Sequence, residues 1–393
     1  MARPILLLNC GSSSIKYQMI DADTEEPTAV GIVQRIGLPM GELEHTSSGE
    51  THSIEREFAN HRDAIAMVVE MFREYGPDLD EVIAVGHRTV HGGEEFREPT
   101  IVTPQVLATL RELSPLAPLH NPPGIAGIEA AQAVLPNVPH VCVFDTAFFA
   151  TLPAEAYTYA IDADVATAHK IRKYGFHGTS HAYVSKKAAE FLGRDYGDLR
   201  QIVCHLGNGA SISAIDRGVA IETSMGLTPL AGLVMGTRSG DIDPGINAFL
   251  GRQGYGTAEI DTLLNKHSGM FGLCGYTDMR DVEAQMKAGN ERAIVAQEVY
   301  NHRLLSYIGS YLAVLGGVDV LTFTAGVGEN SPHIRSEVLK RLEGLGFVVD
   351  EERNSVRSKE PRVISTDDSP VTILVVPTNE ELEMTREVIE AIG

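Results

Sequence analysis

The sequence predicts an α/β protein assembled from two related halves. Three observations carry this. Short apolar runs alternate with segments whose apolar residues recur three and four apart, as strands alternating with helices do. The segment 202–216, IVCHLGNGASISAID, echoes 5–21, ILLLNCGSSSIKYQMID, about half a chain length away; such internal likeness marks repeated architecture. The length of 393 residues suits two domains.

The elements follow in order. Ile5–Leu8 reads as a buried strand, Gly11–Ser14 as a turn, and Ile15–Ile20 as a returning strand of loose period two. The echo at 202–216 predicts the same hairpin. Further strands are expected at about 82–86, 140–145, 318–324 and 371–376. Helical periodicity falls at about 61–75, 104–113, 124–134, 179–192, 291–315, 331–345 and 379–391. Thr378, with Glu381 three residues on, predicts a capping box at the last helix. The tract from Gly226 to Gly256 is glycine-dense and reads as a long functional loop.

Composition narrows the function. A formal charge of −21 with no Lys/Arg run argues against nucleic acid and anionic membranes as partners. Cys10, Cys142, Cys204 and Cys274 lie far apart, without zinc or redox spacing, which suits a reduced, cytoplasmic setting. The apolar run at the N-terminus is too short for a signal peptide. The apolar stretch 307–327 is broken by Asp319 and glycines, so it reads as a buried helix and strand.

Three Gly/Ser/Asn turns follow strands: Asn9–Lys16, with Ser12 and Ser14 inside it, His205–Ser211, and Ala325–Asn330. Such turns form nests for phosphate, or are plain hairpin turns. The first lacks the spacing of a P-loop. Arg88 in GHRTVHGGE and Arg238 in MGTRSGDIDPG offer planar forks for carboxylate or phosphate, or are surface arginines. His177 and His181 have the spacing of a zinc pair but lack the glutamate of that motif; a donor to a charged oxygen and a structural histidine are the other readings. His120 sits in a proline-bounded turn, LHNPPG. Asp145 ends a strand, where an α/β fold places active-site carboxylates or caps. Glu380 and Glu381 open the last helix, as acidic dipole partners commonly do.

Taken together, NCGSSSIKYQ, GHRTVHGGE, LHNPPG, VFDTAF, YGFHGTSH, HLGNGAS, GLTPLAGLVMGTRSGDIDPG, TAGVGEN and PTNEEL resemble the acetokinase family, over essentially the whole chain. That family belongs to the superfamily of actin-like ATPases and sugar kinases. The resemblance implies two duplicated domains of the actin-like ATPase (ribonuclease H-like) type with a central cleft, the first spanning 1–149 and 382–393 and the second 150–381. It implies reversible transfer of the ATP γ-phosphoryl group to acetate, giving acetyl phosphate and ADP, with Mg²⁺ or alternatively Mn²⁺, in a cytoplasmic homodimer. By the same resemblance, Asn9 and Glu380 would help hold the metal, and Lys16, Ser12 and Ser14 would approach the phosphates. His205, Leu206, Gly207, Asn208, Gly209, Gly326, Val327, Gly328, Glu329 and Asn330 would line the ATP site, with Asp278, Met279 and Arg280 at its nucleoside end. Arg88 would hold the substrate carboxylate, His120 would be a further substrate-binding residue, and Val90, Leu119, Phe176 and Pro229 would form the pocket for the methyl group. Asp145 would be the acid/base residue, and His177 and Arg238 the transition-state stabilisers.

Physical chemistry shifts one of these roles. Acetate, with a reference pKa near ~4, is already ionised at neutral pH and needs no general base. Asp145 is therefore expected to orient the metal or its waters. Propionate or butyrate as acceptor, a non-catalytic nucleotide switch and a zinc hydrolase are the competing expectations.

Overall fold

The computed structural model describes residues 3–393. The chain forms two compact units, Met1–Ala150 with Asn379–Gly393, and Thr151–Thr378. The second crossing point lies before Asn379 rather than after residue 381, so Glu380 and Glu381 belong to the first unit. The cause is local: the last helix, Glu380–Ile392, is one continuous element, and its Met384 and Val388 are buried against Ile5, Leu7, Ala84, Val141 and Val143.

The first unit is built on β1 Pro4–Cys10, β2 Ser14–Asp21, β3 Glu26–Gln34, β4 Gly41–Ser47, β5 Glu50–Arg56, β6 Ala84–Thr89, β7 Thr100–Ile101 and β8 His140–Phe144. They lie in one sheet, ordered β5-β4-β3-β2-β1-β6-β8-β7. The second unit has β9 Arg200–Leu206, β10 Ala210–Asp216, β11 Val219–Thr223, β12 Val320–Thr324, β13 Arg362–Val363 and β14 Thr372–Val375, ordered β11-β10-β9-β12-β14-β13. The duplication is visible in these orders. Each unit opens with an antiparallel meander, continues with two strands parallel to its first, and closes on a short antiparallel edge strand.

Burial explains the strands. β1 is buried over nearly its whole length, and β12 over all of it, as parallel central strands covered on both faces must be. Helix 61–75 starts where the Asn60 side chain accepts from the Asp63 amide, and it buries Ala64, Ile65, Val68, Met71 and Phe72 along one stripe. Helix 104–113 has Thr103 as N-cap and Pro104 at its first position. In the second unit, helix 291–315 buries Tyr300, Leu304, Ile308 and Tyr311.

Three local expectations are corrected. The last helix is capped by Asn379, whose side chain accepts from the Leu382 amide at 3.0 Å; the Thr378 hydroxyl is used instead by Ser180 Oγ, 2.8 Å away. The tract 226–256 is not all loop, because Gly245–Arg252 is helical. The turn 325–330 is itself a helical turn, followed by helix Pro332–Lys340 capped by Ser331. Among the described residues, no helix is long and apolar enough to cross a membrane. All four cysteines are buried and free of disulfides.

Candidate active site

In the first unit, the candidate residues gather where β1, β6 and β8 end. β1 and β6 run parallel, and so do β6 and β8, so their carboxyl ends lie on one edge of the sheet, the favoured position for chemistry in such folds. Asn9 is the penultimate residue of β1 and pairs with Lys16 on β2. Arg88 lies near the end of β6, and Asp145 directly follows β8, its amide donating to the Thr89 carbonyl at 3.0 Å.

Arg88 and Asp145 form a two-point ion pair: Nε donates to Oδ1 at 2.9 Å and Nη2 to Oδ2 at 2.8 Å. The Asp145 side chain is 3 % exposed and that of Arg88 is 22 % exposed. The geometry is the bidentate fork, and the Asp145 charge pushes the Arg88 pKa further up. Glu380 Oε2 lies 3.8 Å from Arg88 Nη2. Burial raises the Glu380 carboxyl above its ordinary range; Arg88 and Lys16 oppose this, and Asp145 and Glu381 add to it. Asn9, Lys16, Arg88, Glu380 and Glu381 line one small cavity. Ser12 is exposed at the hairpin tip, and the Ser14 carbonyl accepts from Gly11. His120 begins helix 121–134, and Val90 lies just after β6. Leu119 is 57 % exposed.

The donor set fits a divalent cation. Around Arg88 and Lys16, three carboxylates meet two cations, so a surplus of negative charge is left for a bound metal. Among the described residues, no group of three or more His, Cys, Asp or Glu side chains is placed to hold a metal alone. Mg²⁺ asks for less, since it takes one or two carboxylates together with waters and substrate phosphates.

In the second unit, two of the Gly-rich turns meet. Gly207, Asn208, Gly326, Val327 and Asn330 line a cavity of about 550 Å³ together with Asp278, Met279 and Arg280. Thr277, Glu283, Ser331 and Arg357 complete the lining; nothing in their local sequence singles them out. Asp278 caps helix Met279–Lys287 through the Arg280 amide, and its side-chain bonds to Arg280 hold its carboxyl down to about 2. Gly328 and Glu329 are tied to the interior: both carbonyls accept from the buried Arg335, and Glu329 Oε1 accepts from the Thr378 amide. Leu206 is buried at the end of β9.

His177 and Arg238 converge on the turn after β9. A Cβ added at Gly209 would lie 3.5 Å from Arg238 Nη1 and equally close to the His177 ring. The His177 ring stacks on His205 with centroids 4.3 Å apart. Arg238 Nη1 donates to the Pro229 carbonyl at 3.2 Å, and burial works against its charge. His177 precedes helix Gly178–Leu192 in the left-handed region, φ 60°, an unusual conformation for a residue with a side chain. Phe176 beside it is buried. His181 is not placed as a metal ligand: its two ring nitrogens contact Ser211 and Ser213.

Residues 4–386 match the acetokinase family. The chain belongs to the acetokinase family. It is 53 % identical over 390 residues, 98 % of either chain, to an acetate kinase of Clavibacter michiganensis subsp. michiganensis. A crystal structure of Porphyromonas gingivalis acetate kinase matches with a TM-score of 0.95 and 44 % identity, covering 100 % of both chains. A propionate kinase from Francisella tularensis subsp. tularensis matches with a TM-score of 0.93 and 40 % identity over 99 % of each chain. The acetokinase fold is therefore the fold of this chain, with the duplicated α/β units expected from its half-length echo.

Proposed function

We propose that this protein transfers the γ-phosphoryl group of ATP to acetate, reversibly, forming acetyl phosphate and ADP. The observation that carries the reading is Arg88, a partly buried guanidinium held at two points by Asp145 beside Asn9, Lys16 and Glu380. It supports capture of a small carboxylate, and the cavity between the turns after β9 and β12 supports a nucleotide.

Phosphoryl transfer depends on positioning and charge neutralisation more than on covalent chemistry. Arg88 orients the acetate carboxylate and offsets its repulsion by the phosphates. Asp145 holds that guanidinium in its plane, and each of its oxygens keeps a lone pair for a metal-bound water. Asn9 and Glu380 would hold Mg²⁺, with Asp145 helping to orient it; the ion supplies charge neutralisation on the phosphate oxygens. Lys16, Ser12 and Ser14 meet the phosphates. His177 and Arg238 donate to the equatorial oxygens of the group in transfer, where charge develops. Asp278, Met279 and Arg280 lie at the nucleoside end. Val90, Leu119, Phe176 and Pro229 face the methyl group. A homodimer in the cytoplasm is part of this proposal.

Acetate is the acceptor we expect to be preferred. The likeness to a propionate kinase makes propionate the second reading, because one methylene is worth only ~1–3 kcal/mol in such a pocket. The test is acyl phosphate formation, trapped as hydroxamate, with ATP, Mg²⁺ and acetate, propionate or butyrate. Highest kcat/KM for acetate supports the proposal; highest for propionate replaces it; no product with any of the three rejects it.

A further inference from the structure

We propose that Ser213, Ser211 and His181 form a buried relay that fixes His177 in the tautomer carrying its proton on Nε2. The proposal rests on the reading of His177 as a donor to the transferred phosphoryl group. Ser213 Oγ lies 2.7 Å from His181 Nδ1, His181 Nε2 lies 2.7 Å from Ser211 Oγ, and Ser211 Oγ lies 2.9 Å from His177 Nδ1. Ser211, Ser213 and His181 are fully buried.

Counting protons sets the direction of the chain. The Ser213 hydroxyl has one hydrogen-bond partner among the described residues, His181 Nδ1. A buried hydroxyl that only accepted there would leave its proton without a partner, a costlier defect than an idle lone pair. Ser213 therefore donates. Burial, and secondarily His205, pushes the His181 pKa well below its usual range, so its ring is neutral and holds a single proton. With Nδ1 accepting, that proton is on Nε2 and is donated to Ser211 Oγ. Among the described residues, the acceptor left for the Ser211 proton is His177 Nδ1. The His177 proton is thereby left on Nε2, the nitrogen near the Gly209 turn.

Facing His177 are His205 from β9, stacked on it, and Arg238 from the glycine-rich tract; His181, from the helix that His177 precedes, reaches it through Ser211. The relay makes Nε2 a donor even when the ring is neutral. Ser211, Ser213 and His181 are positioning residues, since none needs to touch the reacting atoms.

Two measurements test this on the full-length protein. Two-bond ¹H–¹⁵N spectra of ¹⁵N-histidine-labelled protein, assigned by loss of one signal set in His177→Asn, should show His177 with a protonated Nε2 and a bare Nδ1. A proton on Nδ1 overturns the proposal. The wild-type kcat should stay level from about pH 6.5 to 8.5, because both charge states donate from Nε2. In Ser211→Ala the same spectra should show His177 as a mixture of tautomers, with kcat below wild type. A single unchanged tautomer with wild-type kcat in that variant overturns the relay. Should Ser211→Ala not fold, Ser213→Ala serves: mixed His177 tautomers support the relay and a single unchanged tautomer rejects it. If wild type forms no acyl phosphate, the functional reading of His177 fails, while the spectra still decide the relay.

Discussion

At the residue scale, the site is a balance of charges that stability alone would not select. Arg238 is partly withdrawn from water and, among the described residues, donates to the Pro229 carbonyl rather than to a carboxylate, which suits a cation kept for a transient negative charge. Arg238→Ala should lower kcat by ~10²–10³ with a much smaller change in ATP KM; kcat intact with KM alone raised rejects the role. Asp145→Asn replaces one acceptor of the Arg88 fork by a donor. We expect a higher acetate KM and a lower kcat, with a raised Mg²⁺ requirement in steady-state kinetics. An unchanged Mg²⁺ requirement would confine Asp145 to holding Arg88. Glu380 carries a stability cost. Its folded pKa lies above the unfolded value, so the native state binds more protons in that window and stability falls as pH rises through it. Glu380→Gln should therefore raise Tm at pH 7 while impairing activity, and the gain should vanish near about pH 3, below the ordinary glutamate pKa, where the wild-type carboxyl is protonated in both states. Calorimetry at the two pH values checks this. Residues such as Arg88, Asp145 and Asn9 are legible in the sequence because strand ends and glycines flank them. Ser211 and Ser213 are not, because a serine in a buried strand acquires meaning only from the histidine that its neighbours bring against it.

At the scale of elements, periodicity reads well where one face is buried. The helices at 61–75, 104–113 and 291–315 begin and end where their patterns predict. β5 escapes notice because it is largely exposed and polar, leaving no run of apolar residues to mark it, and β3 because only Ala29 and Val33 of its nine residues are fully buried. Helix Gly245–Arg252 buries none of its residues completely, so the glycines around it dominate the reading. The cap of the last helix is displaced by one residue for a tertiary reason: Thr378 is already engaged by Ser180 and Glu329, and Asn379 is an equally good cap. Asn379→Ala should cost ~1 kcal/mol of stability, read by urea denaturation of the first unit's transition; no change would show that the cap is dispensable.

For the molecule as a whole, the half-length echo proves to be the most informative pattern in the sequence. It marks the two hairpins β1–β2 and β9–β10, which occupy the same place in the two sheets. The crossing point near 379 is less legible, since a helix beginning with three acidic residues in its first turn gives no sign of which sheet it will cover. Its core residues decide. Met384→Ala, at a position 4 % exposed against the first sheet, should cost ~2–5 kcal/mol, seen as an earlier first transition on denaturation; a shift confined to a later transition would place the helix elsewhere.

That crossing also fixes an order in time. A chain emerges from the ribosome from its N-terminus and folds by domains as it appears, yet the first unit lacks Met384, Val388 and Glu380 until the last fifteen or so residues are made. The unit encoded first is thus the one completed last. The segment 151–378 has all its strands while the earlier sheet still waits for its final helix, so the nascent protein carries the glycine-rich turns after β9 and β12 before it can complete the Arg88 cluster.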